Sequence, residues 1–321
     1  MQVIQQRQGV ASPSQAARRP SRPVAVRCEN AGSSTRPSSI SPQPNRRQLL
    51  SAVMAAPLLQ CLPWAAGRPA AAAEIGGEGP RYLTPEQQAA IDGVFAAVMP
   101  KSKAPVMVRL VFHDAGTFSA ATGDGGVNAS IRFELDRPDN FGLKRGWNVI
   151  EAAALRLKGT AADGIVSKAD LIVLAAAYGV RITGGPAMRV AVGRLDAAAA
   201  DPDGRMPELD FSAQQQLANF ADKGLGAQEF VALCGSHTLG SKGYGDPVTF
   251  DNTYYKTLLA APWTDKKNEM AQHTGIATDH VLADDPTCRP LIQRYAADQP
   301  AFFRDFAAAF EKMSCVGVQW A

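Results

Sequence analysis

One short segment, residues 106–116, places a cation, an aromatic ring and an imidazole on the same side of a helix. Pro105 is well tolerated in the first turn of a helix, and the glycine at the end of the segment is a common stop. The spacing i, i+3, i+4 then brings Arg109, Phe112 and His113 together. Such a face is either a satisfied core or a place for general acid–base chemistry.

A second histidine, His237, follows an apolar run and is bracketed by glycines that permit close approach. His273 lies in a polar stretch and is predicted to be a solvated loop residue, and His280 is interpreted as part of a helix start. The chain has no Cys/His spacing typical of zinc and no G-x-S-x-G elbow for a serine nucleophile. The sequence context of His113 and His237 alone is compatible with both structural and reactive roles.

Charge separates the chain into two unlike parts. Residues 1–73 hold nine arginines, no lysine and one acid, for a net charge of +8. Because the whole chain carries +3, residues 74–321 carry −5. A mildly acidic body does not have the basic footprint of a nucleic-acid-binding protein, so no nucleic-acid partner is expected.

The N-terminal part is typical of two targeting signals in series. Residues 1–44 are rich in Arg, Ser, Pro and Ala, as in an organelle transit peptide. Residues 45–73 contain Arg46-Arg47, an apolar stretch and small residues before Glu74, as in a twin-arginine signal. This leader resembles that of chloroplast proteins sent to the thylakoid lumen. The alternative is a disordered tail with one membrane-anchoring helix.

The remainder, residues 80–321, is predicted to be all-α, either one domain or two lobes around a cleft. Residues 116–143 are predicted to be a long ordered loop. Cys288 and Cys315 are interpreted as buried thiols, with a disulfide in an oxidising compartment as the alternative. The predicted helices span residues 84–98, 105–116, 144–157, 167–178, 212–220, 227–233, 252–259, 288–296 and 300–313.

Motifs in this body occur in the order of the plant-type (class I) haem peroxidases. These are Arg109-Leu110-Val111-Phe112-His113, Glu134-Leu135, Asn140-Phe141-Gly142-Leu143, Leu233-Cys234-Gly235-Ser236-His237-Thr238, Phe250-Asp251-Asn252 and Arg289-Pro290-Leu291. The C-terminal part is most similar to ascorbate peroxidases, and with its leader the chain resembles the ascorbate peroxidase-like proteins of the thylakoid lumen. The resemblance implies a two-lobed haem-peroxidase fold with the haem cleft between the lobes.

The resemblance also implies roles for single residues. His237 would be the axial ligand to the iron of haem b, and Asp279 would accept its other ring proton. His113 would be the acid–base residue, Arg109 would stabilise developing charge, and Asn140 would orient His113. Phe112 would bound the haem. A helix N-cap is the alternative for Asp279, and a turn residue is the alternative for Asn140.

The chain departs from ascorbate peroxidases between His237 and Phe250, where only twelve residues intervene. This segment has neither the tryptophan nor the ascorbate-contacting arginine of those enzymes, which argues against specificity for ascorbate and leaves the proximal flank of the haem open. Lys101 and Lys103 lie near the family's other ascorbate-contacting position, although exposed loop lysines are the simpler interpretation.

A set of oxygen-bearing residues after the distal helix resembles the calcium loop of fungal and secretory peroxidases. The candidate calcium residues are Asp114, Gly126, Asn128 and Ser130.

Two functions follow as hypotheses. The first is a haem peroxidase of the thylakoid lumen that reduces hydrogen peroxide with a small reductant, ascorbate being the candidate. The second is a non-catalytic peroxidase-fold accessory protein, associated peripherally with thylakoid membrane complexes.

Overall fold

The structure is a computed structural model that describes residues 79–260, 262–263 and 269–321. These residues belong to one compact unit, residues 71–321. The two targeting signals predicted for residues 1–44 and 45–73 lie outside the described residues. Among the described residues, no helix is both long and apolar enough to cross a membrane.

The described part of the chain is mainly helical, as predicted. Extended pairing there consists of isolated bridges such as Arg81 with Val192. The α-helices are α1 (Pro85–Val98), α2 (Ala104–Ala115), α3 (Lys144–Arg156), α4 (Lys168–Ile182), α5 (Ala213–Asp222), α6 (Ala227–Cys234), α7 (Thr253–Leu258), α8 (Glu269–His273), α9 (Ala277–His280), α10 (Cys288–Ala297) and α11 (Gln299–Met313).

Local sequence signals explain where several helices begin and end. Thr84 caps α1 through the backbone N–H of Gln87, whose side chain bonds back to the Thr84 N–H. Ser167 and Asp170 form the same reciprocal cap at the start of α4. α2 carries its proline in the first turn and ends where Gly116 becomes the C-cap, as the sequence indicates.

The structure differs from the sequence prediction in three stretches. α4 continues to Ile182 because Gly179 and Val180, beyond the predicted end, are still buried, and the Thr183 hydroxyl donates to the Gly179 carbonyl at its end. The predicted loop 116–143 contains two 3₁₀ turns, Ser130–Phe133 and Pro138–Asn140. α8 and α9 have five and four residues, too short for a hydrophobic period to predict.

The principal contacts between helices fall into two groups. In the first, α2 packs on α4, and α3 contacts α1, α2 and α4. In the second, α6 packs on α11, α7 on α10, and α5 on α6. The His113 helix belongs to the first group, and His237 directly follows α6 of the second. The predicted all-α, two-lobed architecture is therefore present.

Candidate active site

His113 lies in the last turn of α2 and is buried. Its Nδ1 is 2.7 Å from the side-chain oxygen of Asn140, whose Nδ2 donates to the Glu134 carbonyl at 2.9 Å. Because a carbonyl only accepts, the amide nitrogen of Asn140 must face Glu134 and its oxygen must face His113. His113 therefore carries its proton on Nδ1 and presents a lone pair at Nε2.

The surroundings of His113 favour its neutral form. Burial and the Arg109 charge lower the pKa of His113 to about 4, although the Asn140 hydrogen bond opposes them. At neutral pH the imidazole is thus a free base, which is the state that accepts a proton.

Arg109 lies one turn before His113 on the same face of α2, as the i, i+4 spacing predicts. Its Nε donates to His113 Nε2 at 3.2 Å. Its two terminal nitrogens donate to the carbonyls of Phe141 at 2.7 Å and of Asp139 at 2.5 Å. The 3₁₀ turn that carries Asn140 therefore also fixes the guanidinium beside the base.

Phe112 packs beside His113. Its ring stacks on Phe220 of α5 at 5.8 Å between centroids and meets the His113 ring edge-on at the same distance. Phe112 thus forms an apolar wall next to the polar pair.

His237 lies in the 3₁₀ turn Gly235–Thr238, directly after α6. Its Nδ1 is 2.8 Å from the Oδ1 of Asp279, which is almost fully buried. Two tyrosine hydroxyls donate to the same carboxylate, Tyr254 to Oδ1 at 2.9 Å and Tyr244 to Oδ2 at 3.1 Å. Asp279 is inside α9, whose N-cap is Ile276, so the helix-cap alternative for Asp279 is wrong.

The Asp279 carboxylate dominates the electrostatics of this pair. Burial opposes charge on His237, but the Asp279 carboxylate outweighs it and raises the pKa of His237. Burial likewise opposes charge on Asp279, but His237 and the two tyrosines hold the pKa of Asp279 below its ordinary value.

The other ring nitrogen of His237 is available. Its side chain is 37% exposed, against 2% for Asp279, and Nε2 makes no hydrogen bond with any residue that the structure describes. An imidazole whose Nδ1–H is held by a carboxylate and whose Nε2 is free is the usual form of a metal-ligating histidine. The donor set therefore fits an axial ligand to iron.

The short segment 238–249 folds against this centre. Thr238 donates to Asp251 at 2.9 Å, and the Gly240 N–H donates to the Pro247 carbonyl at 2.9 Å. Tyr244, at the middle of the segment, is buried. Its hydroxyl covers the Asp279 carboxylate, in the segment where the resembling enzymes carry tryptophan. This contact is not evident from the sequence, where its only signal is a single tyrosine between two glycines.

The candidate calcium residues do not present a cation site. The two carboxylate oxygens of Asp114 accept the backbone N–H groups of Asn128, Ala129 and Ile131 at 2.8–3.1 Å. The Asn128 amide bonds to Asp201, and Ser130 Oγ is buried without a partner. A calcium ion needs several oxygen ligands that face it, and of these four residues only Ser130 offers a side-chain oxygen without a protein partner, so the set does not fit calcium.

Gly126 also has a structural role. Its φ is +104°, and a Cβ there would overlap the Val316 carbonyl of the C-terminal loop. Close backbone packing therefore explains why this position is a glycine.

Three other predictions need correction. Cys288 and Cys315 are free thiols, so the disulfide alternative is wrong, and Cys315 is exposed instead of buried. His273 ends α8, whereas a loop was predicted. His280 is the last residue of α9 and stacks on Trp263 at 4.9 Å, so it does not start a helix.

Comparison with known proteins identifies the family of the chain. Residues 88–298 match the sequence profile of the Peroxidase family. The chain belongs to this family and is a haem-dependent peroxidase of the plant class I, ascorbate peroxidase-like type.

Similar proteins of known sequence are ascorbate peroxidases by name. "Putative L-ascorbate peroxidase 6" of Arabidopsis thaliana is 46% identical over 225 residues, which are 70% of this chain and 67% of that protein. Peroxisomal L-ascorbate peroxidase 5 of Arabidopsis thaliana is 39% identical, over 69% of this chain and 79% of its own length. Cytosolic L-ascorbate peroxidase 1 of Oryza sativa subsp. japonica is 35% identical, over 69% of this chain and 89% of its own length.

Proposed function

We propose that this chain binds haem b through His237 and reduces hydrogen peroxide to water at the His113 face. The observation that carries the proposal is a chain of two hydrogen bonds, from His113 to Asn140 and from Asn140 to Glu134. It leaves a neutral His113 with a lone pair at Nε2, next to the Arg109 cation. A peroxidase needs such a base and such a cation at the same place.

The distal residues of the chain would act as follows. Peroxide replaces Arg109 Nε at His113 Nε2, which takes the proton from one peroxide oxygen and delivers it to the other, so that water leaves. Arg109 stabilises the negative charge that develops as the O–O bond breaks. Asn140 keeps the second ring nitrogen protonated throughout, so that His113 remains a base.

The proximal residues would hold the cofactor. When bound, haem b supplies the iron and the two electrons that the reduction of peroxide consumes. Asp279 keeps the His237 proton on Nδ1 and strengthens its Nε2 as an electron donor. Tyr244 and Tyr254 fix the Asp279 carboxylate, so that the ligand ring has one orientation.

The reducing substrate is proposed to be a small donor, with ascorbate as the candidate because the named relatives are ascorbate peroxidases. The segment 238–249 contains no arginine. We therefore expect low selectivity, with guaiacol oxidised at a rate comparable to ascorbate.

The deciding experiment adds hemin to the protein and records its absorption. A Soret band that is lost in His237→Ala is expected, and the absence of a band in the unsubstituted protein would overturn the proposal. In the haem-loaded protein, Arg109→Ala should slow the reaction with peroxide by about 10²–10³-fold. The donor KM should change little, whereas equal peroxide rates would remove Arg109 from the mechanism.

The accessory-protein hypothesis is the second candidate, and one observation favours it. Arg109 Nε already donates to the lone pair at His113 Nε2. While this hydrogen bond persists, His113 cannot accept a proton from peroxide. In that case thylakoid membrane complexes would be the partners. Haem binding with no peroxide consumption, together with co-sedimentation with thylakoid membranes, would support it over the enzyme.

We also propose the thylakoid lumen as the location, with residues 1–73 removed. The composition of residues 1–44 and the paired arginines Arg46 and Arg47 support this. N-terminal sequencing of the protein from isolated chloroplasts should find a mature end near Glu74. A mature protein that retains residues 1–40 would contradict it.

A further inference from the structure

A series of tyrosine rings runs from His237 into the second group of helices. Tyr254 meets the His237 ring edge-on at 5.9 Å between centroids. Tyr255 follows at 5.0 Å and Tyr295 at a further 5.2 Å. Tyr244 forms a branch, 4.8 Å from Tyr254. All four tyrosines are buried, and each step is a ring-to-ring contact.

The packing of this series depends on a glycine. A Cβ at Gly235 would lie well inside van der Waals contact with the Tyr255 hydroxyl and with the Phe302 ring. The Tyr255 hydroxyl donates to the Val231 carbonyl of α6 at 2.9 Å. The rings are thus held in fixed contact with the helix that leads to His237.

The series ends at a charged pair at the protein surface. The Tyr295 hydroxyl donates to Asp305 at 2.9 Å, and Asp305 pairs with Arg294 at 3.2 Å. The Asp305 side chain is 9% exposed and that of Arg294 is 44% exposed. A phenol hydrogen-bonded to a carboxylate can lose an electron while its proton moves to that carboxylate. Tyr295 and Asp305 form such a pair, and it lies next to solvent.

We infer that Tyr254, Tyr255 and Tyr295 carry electrons from the Arg294–Asp305 surface to the haem site, giving a second place where a donor is oxidised. The donor that fits is a phenol, because it gives up one electron and one proton as Tyr295 does, and a bulky phenol can react at this surface without entering the site. This inference rests on the proposed function. It is supported by the burial of the whole series and by its end at a carboxylate that pairs with a 44% exposed arginine.

The electrons and protons of this route balance. Reduction of one hydrogen peroxide leaves the site two electrons short. Tyr295 gives up one electron through Tyr255 and Tyr254, and its phenolic proton passes to Asp305, which leaves a neutral tyrosyl radical. A phenol at the surface then returns one electron to Tyr295. Asp305 returns the proton, and the phenol releases its own proton to water. A second phenol completes the cycle.

The test uses the haem-loaded protein mixed with one equivalent of peroxide and frozen for electron paramagnetic resonance. We expect a tyrosyl signal from Tyr295 that is lost in Tyr295→Phe and in Tyr255→Phe, because phenylalanine is much harder to oxidise. A radical on Tyr244 or Tyr254, which donate to Asp279, would remain and is distinguished by its different hyperfine pattern. Asp305→Asn preserves the packing but removes the proton acceptor, and should also lose the signal. Tyr82→Phe is the matched control, because Tyr82 is 50% exposed and packs under Arg189, outside the series.

Donors of two sizes provide a second measurement. Oxidation of tyramine coupled to polyethylene glycol should be lost in Tyr295→Phe, while free guaiacol is oxidised as before. An unchanged radical signal and unchanged oxidation of the coupled donor in both tyrosine variants would overturn the relay, if peroxide is still consumed. A haem-loaded protein that consumes no peroxide would instead overturn the proposed function, and the relay with it.

Discussion

At the scale of single residues, the position of the proton on His113 is set by Glu134, which is two hydrogen bonds away. The Glu134 carbonyl fixes the Asn140 amide, and that amide fixes the proton on His113 Nδ1. The Asn140 oxygen is neutral, so it orients the imidazole without adding charge. Burial and Arg109 lower the pKa of His113 to about 4, and the Asn140 hydrogen bond offsets only part of this lowering. The base is therefore unprotonated over the whole neutral range.

Asn140→Asp tests this arrangement. A carboxylate at Nδ1 stabilises the imidazolium, so the pKa of His113 should rise from about 4 toward or above its ordinary value. In stopped-flow measurements the unsubstituted protein should react with peroxide at a constant rate from about pH 5 to 8. The variant should lose rate as pH falls across that range, because protonated His113 cannot accept a proton.

Asn148→Asp is the matched control for the added charge, since Asn148 is an exposed residue of α3. Its profile should follow that of the unsubstituted protein. If Asn140→Asp leaves the profile flat, the Asn140 contact does not govern the protonation of His113.

The contacts of Asp114, which follows His113 in the chain, give a test of calcium binding. Its oxygens already accept three backbone N–H groups, so thermal unfolding should give the same midpoint in calcium and in EDTA. Asp114→Asn should lower the free energy of unfolding by about 1–3 kcal/mol, because an amide N–H would then face N–H donors. A calcium-dependent midpoint that disappears in this variant would restore the calcium prediction.

At the scale of secondary-structure elements, the proximal centre depends on a tight turn before α9. Gly275 has φ +75°, and a Cβ there would overlap the Tyr244 hydroxyl and lie 2.9 Å from His280 Nε2. The Gly275 N–H also donates to the Lys242 carbonyl at 2.6 Å. This glycine thus allows the short segment 238–249 to approach α9 and bring Tyr244 onto Asp279.

Gly275→Ala should destabilise the protein through two separable effects. The left-handed backbone alone costs about 1–2 kcal/mol for alanine, and the overlap with Tyr244 adds about 1–3 kcal/mol. Gly159→Ala isolates the first effect, because Gly159 also has φ +75° but nothing within 4 Å of its added Cβ. Urea unfolding should rank the two, and Tyr244→Phe should recover part of the loss in the Gly275→Ala background. Equal costs for the two glycines would contradict the packing argument.

The long helices were predictable because their signals are local. The capping pairs at Thr84 and Ser167 and the proline and glycine at the ends of α2 act within one turn. The one-face arrangement of Arg109 and His113 follows from the same local geometry. α8 and α9 were missed since four or five residues carry no period. The contact of Tyr244 with Asp279 was missed because the residues are 35 positions apart.

At the scale of the whole molecule, one buried ion pair joins three distant parts of the chain. Arg194 and Asp170 are 2.8 Å apart, and both side chains are fully buried. Asp170 lies in the first turn of α4, and Arg194 lies in the loop that follows residue 190. Arg194 also donates to the Ser314 carbonyl at 2.8 Å, beyond the end of α11. No spacing in the sequence indicates these contacts, because the partners of Arg194 are 24 and 120 positions away.

Arg194→Met should be among the most destabilising single substitutions in the described part of the chain. It leaves Asp170 as a buried charge without its cation, at a cost of about 3–5 kcal/mol. The Ser314 carbonyl also loses its donor. Glu151→Gln is the control, because it breaks the exposed pair with Lys168, also 2.8 Å apart, and should cost less than about 1 kcal/mol.

In urea unfolding, the double variant Asp170→Asn with Arg194→Met should cost less than the sum of the two single changes, since the second removes the charge that the first left unpaired. Additive losses would show that the two side chains stabilise the fold independently.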